Sequence, residues 1–331
     1  MNVAFFIRHF TERGTEIAIY DYAKCNEEIL HNKSYIICFT EKKQCEIGFP
    51  MERYSYDKFK NRFEIIEICD ICEMDFIIHH YKLHFFYTLT HGGPHDIYKF
   101  ENKEIWGKCK TIKHCVFNTT FCESDFYVSI SEFINETNNT NFPVIPHIVE
   151  LPHCNDNLRD LLQIPQNAHV IGRYGGFNEF NISIAHEAII DFLNLENSSN
   201  VWFLFMNTHE FYKHPRIIYL DRTTDLIFKT KFINTCDAMI HARAEGETFG
   251  LSIAEFSSKN KPVITCPSGD LEHIRILGDK ALLYRSKDEL LKILNNIKNI
   301  IKNNDDWNAY KQYTPENVMR LFNELIFSKV I

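Results

Sequence analysis

The sequence has few of the residues that mark collagen-like, low-complexity or membrane-spanning proteins. Its 331 residues include 12 Gly, 10 Pro and 3 Trp, and no apolar run approaches the roughly 20 residues that span a bilayer. The apolar start Met1–Ile7 is interrupted by Arg8 and His9, and it is too short for a signal peptide. These absences predict a globular, cytoplasmic protein, and they leave peripheral contact with a membrane surface open.

Metal-binding motifs are also missing. No Asp-x-Asp occurs, and the cysteines have no spacing typical of a zinc site apart from Cys69-x-x-Cys72. We interpret that pair as reduced thiols, because an odd number of Cys in mostly apolar contexts suits a reducing compartment. We therefore expect no metal site and no bound cofactor.

Positive charge is not concentrated in any segment. The formal net charge is -8, and the Lys and Arg residues are scattered along the chain. Since a nucleic-acid surface needs clustered basic residues, we expect no nucleic-acid partner. The chain is 45% hydrophobic and 14% aromatic, so it can bury a large core, and its length suits two domains.

Strand-like and helix-like segments alternate twice along the chain, which predicts an α/β protein with parallel βαβ units. A Pro-rich stretch near 146–166 separates the two series, so we expect domains at 1–148 and 149–313. In the first series we predict strands at 3–7, 35–39, 76–78, 115–117 and 126–130 and a helix at 17–31. In the second we predict strands at 170–172, 201–206, 217–220, 238–242 and 263–266 and helices at 182–194 and 225–235.

The segment Glu245-Gly-Glu-Thr-Phe-Gly-Leu-Ser-Ile-Ala-Glu255 carries the clearest chemical signal. It runs from a predicted strand through Gly250 into a predicted helix, and the first amides of a helix form an anion site. Two carboxylates, Glu247 and Glu255, flank this site. Acids beside a phosphate are unfavourable, so these two more plausibly accept hydrogen bonds from sugar hydroxyls. The segment therefore favours a nucleotide-sugar site, although the spacing alone is weak because Glu179/Glu187 and Glu316/Glu324 also lie eight residues apart.

The pattern Glu-x-Phe-Gly-Leu-x-x-x-Glu, followed by Lys261-Pro-Val-Ile264 and a Gly-bearing loop, resembles the donor-binding signature of retaining GT-B glycosyltransferases, especially family 4. The resemblance is strong over 217–285 and covers most of the chain. It implies a GT-B fold, in which two Rossmann-like domains face each other across a deep cleft. It also implies an N-terminal acceptor domain, a C-terminal donor domain and a final helix, about 314–331, that packs back on the first.

The same resemblance assigns roles within the segment. Glu247 would contact the donor sugar and Glu255 the ribose hydroxyls. The amides that would hold the diphosphate follow Glu247 and belong to Thr248, Phe249, Gly250 and Leu251.

Outside the segment, the resemblance is less complete. Gly14, in the loop Arg13-Gly-Thr-Glu16, would let the donor or acceptor approach the backbone, but the family often has two glycines there. Gly175 and Gly176 occupy the matching turn of the second half. There the family has an Arg, which falls on Gly176, and about five residues later a Lys, which this chain lacks.

A diphosphate still requires positive charge. The nearest candidate cations by strand-end topology are Arg243, Arg173 and Lys229, and we favour Arg243 because it follows a strand and precedes Glu245.

The family also places a His near the donor sugar. His114 is our match, with His80 and His91 as rivals, and a core or loop role remains the alternative for each.

The resemblance implies a retaining, metal-independent glycosyltransferase. It would move a sugar from a uridine or guanosine diphosphate donor to a glycan or other hydroxyl acceptor by front-face substitution. Three alternatives remain open: a sugar-nucleotide epimerase, an inverting GT-B transferase, and a degenerate GT-B module that binds or acts as a scaffold without turnover.

Overall fold

The computed structural model describes residues 1–10, 14–93, 98–121, 123–195, 198, 200–302 and 305–329. The chain divides into two compact units. The first unit comprises Met1–Ile148 and Tyr313–Ile331, and the second comprises Val149–Gln312. The chain therefore leaves the first unit once and returns to it at its end.

The first unit is built on a parallel sheet. Its described strands are β1 (Asn2–Ile7), β2 (Lys33–Phe39), β3 (Glu64–Ile68), β4 (Phe85–Thr90), β5 (Lys110–Cys115) and β6 (Phe126–Ser129), in the order β3-β2-β1-β4-β5-β6. All neighbouring pairs run parallel. The order reverses direction between β1 and β4, as in doubly wound α/β folds.

Helices connect these strands. Those described are α1 (Gly14–Glu28), α2 (Glu41–Glu46), α3 (Arg53–Lys60), α4 (Met74–Tyr81), α5 (Lys103–Trp106), α6 (Glu132–Asn138) and α12 (Pro315–Leu325). Although α12 follows the second unit in sequence, it belongs to the first. Its Phe322 ring lies 5.9 Å from Tyr22 of α1 and 5.6 Å from Tyr87 of β4, measured between centroids.

The second unit repeats this architecture. Its main sheet contains β7 (His169–Tyr174), β8 (Val201–Met206), β9 (Ile217–Leu220), β10 (Ala238–His241), β12 (Val263–Thr265) and β14 (Ala281–Leu283), in the order β14-β12-β10-β7-β8-β9. All these pairs are parallel. The short strands β11 (Gly246–Glu247) and β13 (Asp270–Leu271) form a separate pair. The order reverses between β7 and β10, the place where open α/β sheets bind ligands.

The helices of the second unit cover its sheet. Those described are α7 (Ser183–Leu193), α8 (Leu226–Thr235), α9 (Leu251–Ser258), α10 (Glu272–Leu277) and α11 (Lys287–Lys302). A continuous apolar core joins the sheet to α7 and α11 and includes Phe203, Ile240 and Leu294. In the part of the chain that the structure describes, no helix is both long and apolar enough to cross a membrane.

Most predicted elements of the second unit lie where they were expected, but several of the first unit do not. The predicted strand at 76–78 is wrong, because these residues form part of α4, whose buried side chains Met74, Ile77 and Ile78 follow a helical spacing. Phe76 is 72% exposed on the opposite face. Strands β3 and β4 were not predicted, β5 ends at Cys115 rather than beginning there, and α1 begins at Gly14 rather than at residue 17.

Candidate active site

The turn after β10 depends on a glycine. Gly246 has a φ of +68° and pairs with Asp270 where β11 meets β13. A Cβ built at Gly246 would lie 2.1 Å from the carbonyl oxygen of Asp270. A side chain at this position would therefore separate the two strands, and glycine keeps Glu247 at the carboxyl edge of the sheet.

A second glycine begins α9. Gly250 adopts the left-handed conformation, with φ 81° and ψ 65°, and is the N-cap of the helix. Phe249, before it, is 2% exposed, and its carbonyl oxygen accepts a 2.9 Å hydrogen bond from the Tyr310 hydroxyl. The first amides of α9 have no acceptor within the helix, so this end of α9 has the polarity that an anion requires.

Glu247 lies between a histidine and an arginine. Its Oε1 is 3.3 Å from His241 Nε2, and its Oε2 accepts a 3.1 Å hydrogen bond from Arg243 Nη1. Burial opposes ionisation of Glu247, but the hydrogen bond from His241 and the charge of Arg243 nevertheless lower its pKa. Glu247 is therefore a carboxylate held in one orientation.

His241 is itself held by a buried chain of hydrogen bonds. Its Nδ1 is 2.9 Å from Thr265 Oγ1, and Thr265 Oγ1 is 3.2 Å from His273 Nε2. A carboxylate can only accept, so we assign the His241 proton to Nε2. Nδ1 then accepts from the Thr265 hydroxyl, which accepts in turn from His273. Burial lowers the pKa of His273 to about 3, so His273 is neutral.

Neither His241 nor His273 was predicted from the sequence as a site residue. His241 lies inside the strand that was predicted at 238–242 and was treated there as part of an apolar run. A histidine at the last position of a buried strand, immediately before the acidic turn, is the signal that would have found it.

Glu255 is joined to Lys229 in the interior of the unit. Lys229 Nζ on α8 donates to Glu255 Oε1 on α9 over 2.5 Å, and each side chain is 8% exposed. The Lys229 ammonium also lies 5.6 Å from the centre of the Tyr174 ring. Lys229, predicted as a phosphate contact, therefore holds the second glutamate of the signature.

The two candidate arginines have different surroundings. Arg243 contacts the carboxylates of Glu247, Glu179 and Glu245 at 3.1, 3.3 and 3.7 Å. Burial lowers the pKa of Arg243, but Glu247 and Glu179 outweigh it, so the net shift is upward. Arg243 is thus the predicted cation that lies directly beside Glu247.

Arg173 braces the turn after β7. Its guanidinium donates to the carbonyl oxygens of Asn207 and Gly176 and to the Thr208 hydroxyl. Burial lowers its pKa to about 10, and it remains charged at neutral pH. A Cβ at Gly175 would lie 2.8 Å from Arg173 Nη2, so this glycine makes room for the guanidinium.

Gly14 and His114 belong to the first unit. Gly14 is exposed and is the first residue of α1, and the preceding loop residue Arg13 lies outside the described residues. His114 on β5 is completely buried, and its Nδ1 is 2.8 Å from the Tyr87 hydroxyl. Contrary to the expectation of a sugar contact, His114 is a core residue in this structure.

The rivals of His114 are exposed. The His80 ring stacks on Phe76, and the His91 ring packs against Phe117. Over the residues described, no group of three or more His, Cys, Asp and Glu side chains is arranged to hold a metal ion.

Comparisons with known proteins identify the architecture by structure alone. No family model matches the sequence, and no curated protein matches it. HepE from Anabaena, solved in complex with UDP and glucose, is similar with a TM-score of 0.73 at 13% identity, covering 99% of this chain and 100% of HepE.

Two further structures extend this likeness. A glycosyltransferase from Rickettsia africae has a TM-score of 0.69 at 15% identity, covering 99% of this chain and 98% of its own. A putative UDP-N-acetylglucosamine 2-epimerase from Listeria monocytogenes has a TM-score of 0.61 at 11% identity, covering 99% and 95%. With its two parallel six-stranded sheets, the chain has the α/β GT-B fold.

Proposed function

We propose that the protein is a glycosyltransferase that moves a sugar from a nucleoside diphosphate sugar to a glycan or other hydroxyl acceptor, with retention at the anomeric carbon. One observation carries the proposal. An oriented carboxylate, Glu247, lies beside Arg243 and directly before the N-terminus of α9, which carries the buried Glu255. The likeness to HepE, solved with UDP and glucose, supports this interpretation.

Each group then has a role that its chemistry suits. The first amides of α9 and the Arg243 guanidinium would hold the diphosphate. Glu255, fixed by Lys229, would accept from the ribose hydroxyls. Glu247 would accept from a hydroxyl of the donor sugar, because an ionised carboxylate has only acceptor sites.

The reaction that we propose needs no protein nucleophile. The bond between the anomeric carbon and the phosphate oxygen breaks while the acceptor oxygen bonds to the same face of that carbon. The acceptor's proton passes to the departing phosphate oxygen. Catalysis would come from positioning and from stabilising the charge that develops on the diphosphate, without a metal ion.

Binding is the first test. We expect a nucleoside diphosphate, uridine or guanosine, or its sugar conjugate to raise the melting temperature of the protein in a panel of such compounds. At a ligand concentration one hundred times Kd, the stabilisation should be about 2.7 kcal/mol. If no compound in the panel stabilises the protein, the proposal is wrong.

The second test separates transfer from binding. Glu247→Gln should lower kcat about a hundredfold while the nucleoside diphosphate still binds, because Glu247 would contact the sugar. Glu187→Gln, an exposed acid on α7, is the matched control and should keep full activity. Turnover unaffected by Glu247→Gln would contradict the assignment, and binding without any turnover would indicate a degenerate module.

Product analysis decides among the enzymatic alternatives. NMR should show the product with the donor's anomeric configuration, in the presence of EDTA. The opposite configuration would indicate an inverting transferase. A new sugar-nucleotide or free sugar formed from the donor alone would favour the epimerase, which shares the fold.

A further inference from the structure

In the turn that follows β7, a side-chain carboxylate accepts a hydrogen bond from a backbone amide. Glu179 Oε2 accepts a 3.0 Å hydrogen bond from the Gly176 amide, and the Glu179 amide donates to the Gly176 carbonyl over 3.0 Å. A Cβ at Gly176 would lie 2.4 Å from the Glu179 carboxyl carbon. The carboxyl group therefore rests directly on the glycine, at a place that a side chain would fill.

The same carboxylate contacts the cation of the candidate site. Glu179 Oε1 is 3.3 Å from Arg243 Nη2. Backbone amides and guanidinium groups are among the donors that commonly bind phosphate oxygens in proteins. Glu179 thus satisfies both donors with an anion that belongs to the chain itself.

Glu179 differs from the other two carboxylates at Arg243. Glu247 is 17% exposed and is also held by His241. Glu245 is 61% exposed, lies farther from Arg243, and accepts from the Asn181 amide. Of the three, the Glu179 side chain accepts the hydrogen bond from the Gly176 amide. It is 41% exposed, so it can still rotate into solvent.

The cations near Glu179 already have partners within the protein, and this affects how an anionic ligand can bind. Arg243 is shared by three carboxylates, and the neighbouring Arg173 is engaged by Gly176, Asn207 and Thr208. A diphosphate at this edge of the sheet would have to bind the Gly176 amide and Arg243, which Glu179 already contacts. The Gly176 amide has a single hydrogen to donate, so it cannot bind both anions, and at Arg243 a phosphate would lie beside a carboxylate of the same charge.

We propose that Glu179 is an internal competitor of the donor diphosphate. In the ligand-free protein its carboxylate occupies the Gly176 amide and Arg243, and it must turn away before the phosphates bind. The inference rests on the proposed function, because it takes the carboxyl ends of β7 and β10 as the diphosphate site. It makes Glu179 a residue that sets donor affinity.

Calorimetric titration of the full chain tests this directly. Glu179→Ala removes the carboxylate that competes for the Gly176 amide and Arg243. This variant should therefore bind UDP or GDP about tenfold more tightly. Glu179→Gln should show a smaller gain, because its amide oxygen still accepts from Gly176 but no longer pairs with Arg243. Glu187→Gln removes a charge from the same unit away from this turn, and its affinity should equal that of the unchanged protein.

The choice of ligand locates the effect. Inorganic pyrophosphate should show the same relative gain as the nucleoside diphosphate, whereas uridine or guanosine should show none. Weaker or unchanged pyrophosphate binding in both Glu179 variants, with folded spectra, would overturn the role of Glu179. A gain with the nucleoside alone would overturn it as well.

Failure of the inference can be told from failure of the proposed function. If the unchanged protein binds the nucleoside diphosphate but the Glu179 variants gain nothing, only the competitor role is wrong. If neither the unchanged protein nor any variant binds nucleoside diphosphate or pyrophosphate, the donor site itself is wrong, and the inference falls with it.

Discussion

The buried pair of Lys229 and Glu255 makes a quantitative prediction about the donor segment. The two side chains join α8 to α9 over 2.5 Å, with 8% of each exposed. Breaking a buried ion pair by removing one partner costs about 3–5 kcal/mol, because the remaining charge stays away from water. Replacing both partners by neutral groups costs much less, since no charge is left in the interior.

We therefore expect Glu255→Gln and Lys229→Met each to lower the free energy of unfolding by about 3 kcal/mol or more. The double variant should lose less than the sum, with a coupling of at least about 2 kcal/mol. As a matched control, Glu324→Gln breaks an exposed ion pair with Arg320 on α12. That change should cost no more than about 0.5 kcal/mol.

The assay must follow the second unit by itself, because two units need not unfold in one transition. Hydrogen–deuterium exchange of peptides that cover α8 and α9, measured at increasing urea, reports their local opening free energy. Single variants that lose less than about 1 kcal/mol, or a double variant whose loss equals the sum, would refute the reasoning.

Two further predictions concern pH and backbone conformation. Burial lowers the pKa of His114 to about 3 and that of His147 to about 4. Both are neutral in the folded state at neutral pH. Their contribution to the free energy of unfolding is therefore fully present above pH 6.5, and it is lost as the pH falls below 6.5, because the unfolded chain then binds protons that the folded chain does not. Between pH 7.5 and pH 5, each histidine should lower the free energy of unfolding by about 2 kcal/mol. Urea titrations at several pH values should show that His147→Gln removes the part of this loss that is due to His147. A free energy of unfolding that does not change with pH would contradict this. Gly246→Ala forces a Cβ to within 2.1 Å of the Asp270 carbonyl oxygen and should cost more than about 2 kcal/mol. Gly278→Ala, also at positive φ but with no atom within 4 Å of its Cβ, has only the backbone strain to overcome and should cost less, and equal drops in melting temperature would show that the contact is unimportant.

Secondary structure was predicted correctly where the local pattern of apolar and polar residues fits one element only. Strands β8 and β9 were predicted at their observed bounds, because each is an apolar run between polar or Pro-containing segments. The error at 76–78 arose because a three-residue apolar run fits either a strand or one face of a helix. Asp70, which caps the turn before α4 by accepting from the Cys72 amide, was the local signal for the helix.

The candidate site was predictable to a similar extent. The acids, the glycines and the helix start lie within one short segment, where chemistry and spacing are visible in the sequence. Some partners of these residues lie far away in the chain. Nothing local indicates that Lys229 holds Glu255 or that Glu179 reaches Arg243.

The sequence by itself determined the alternation of strands and helices, the division into two series, and the turn from Glu247 through Gly250 into α9. These properties depend on residues that are neighbours in the chain, so periodicity and backbone preference suffice. Only the tertiary structure decided which distant side chains meet: Lys229 with Glu255, and Glu179 with Arg243. The physical reason is that parallel strands bring their carboxyl ends to one edge of the sheet, so the pairing of charges there depends on strand order and helix packing.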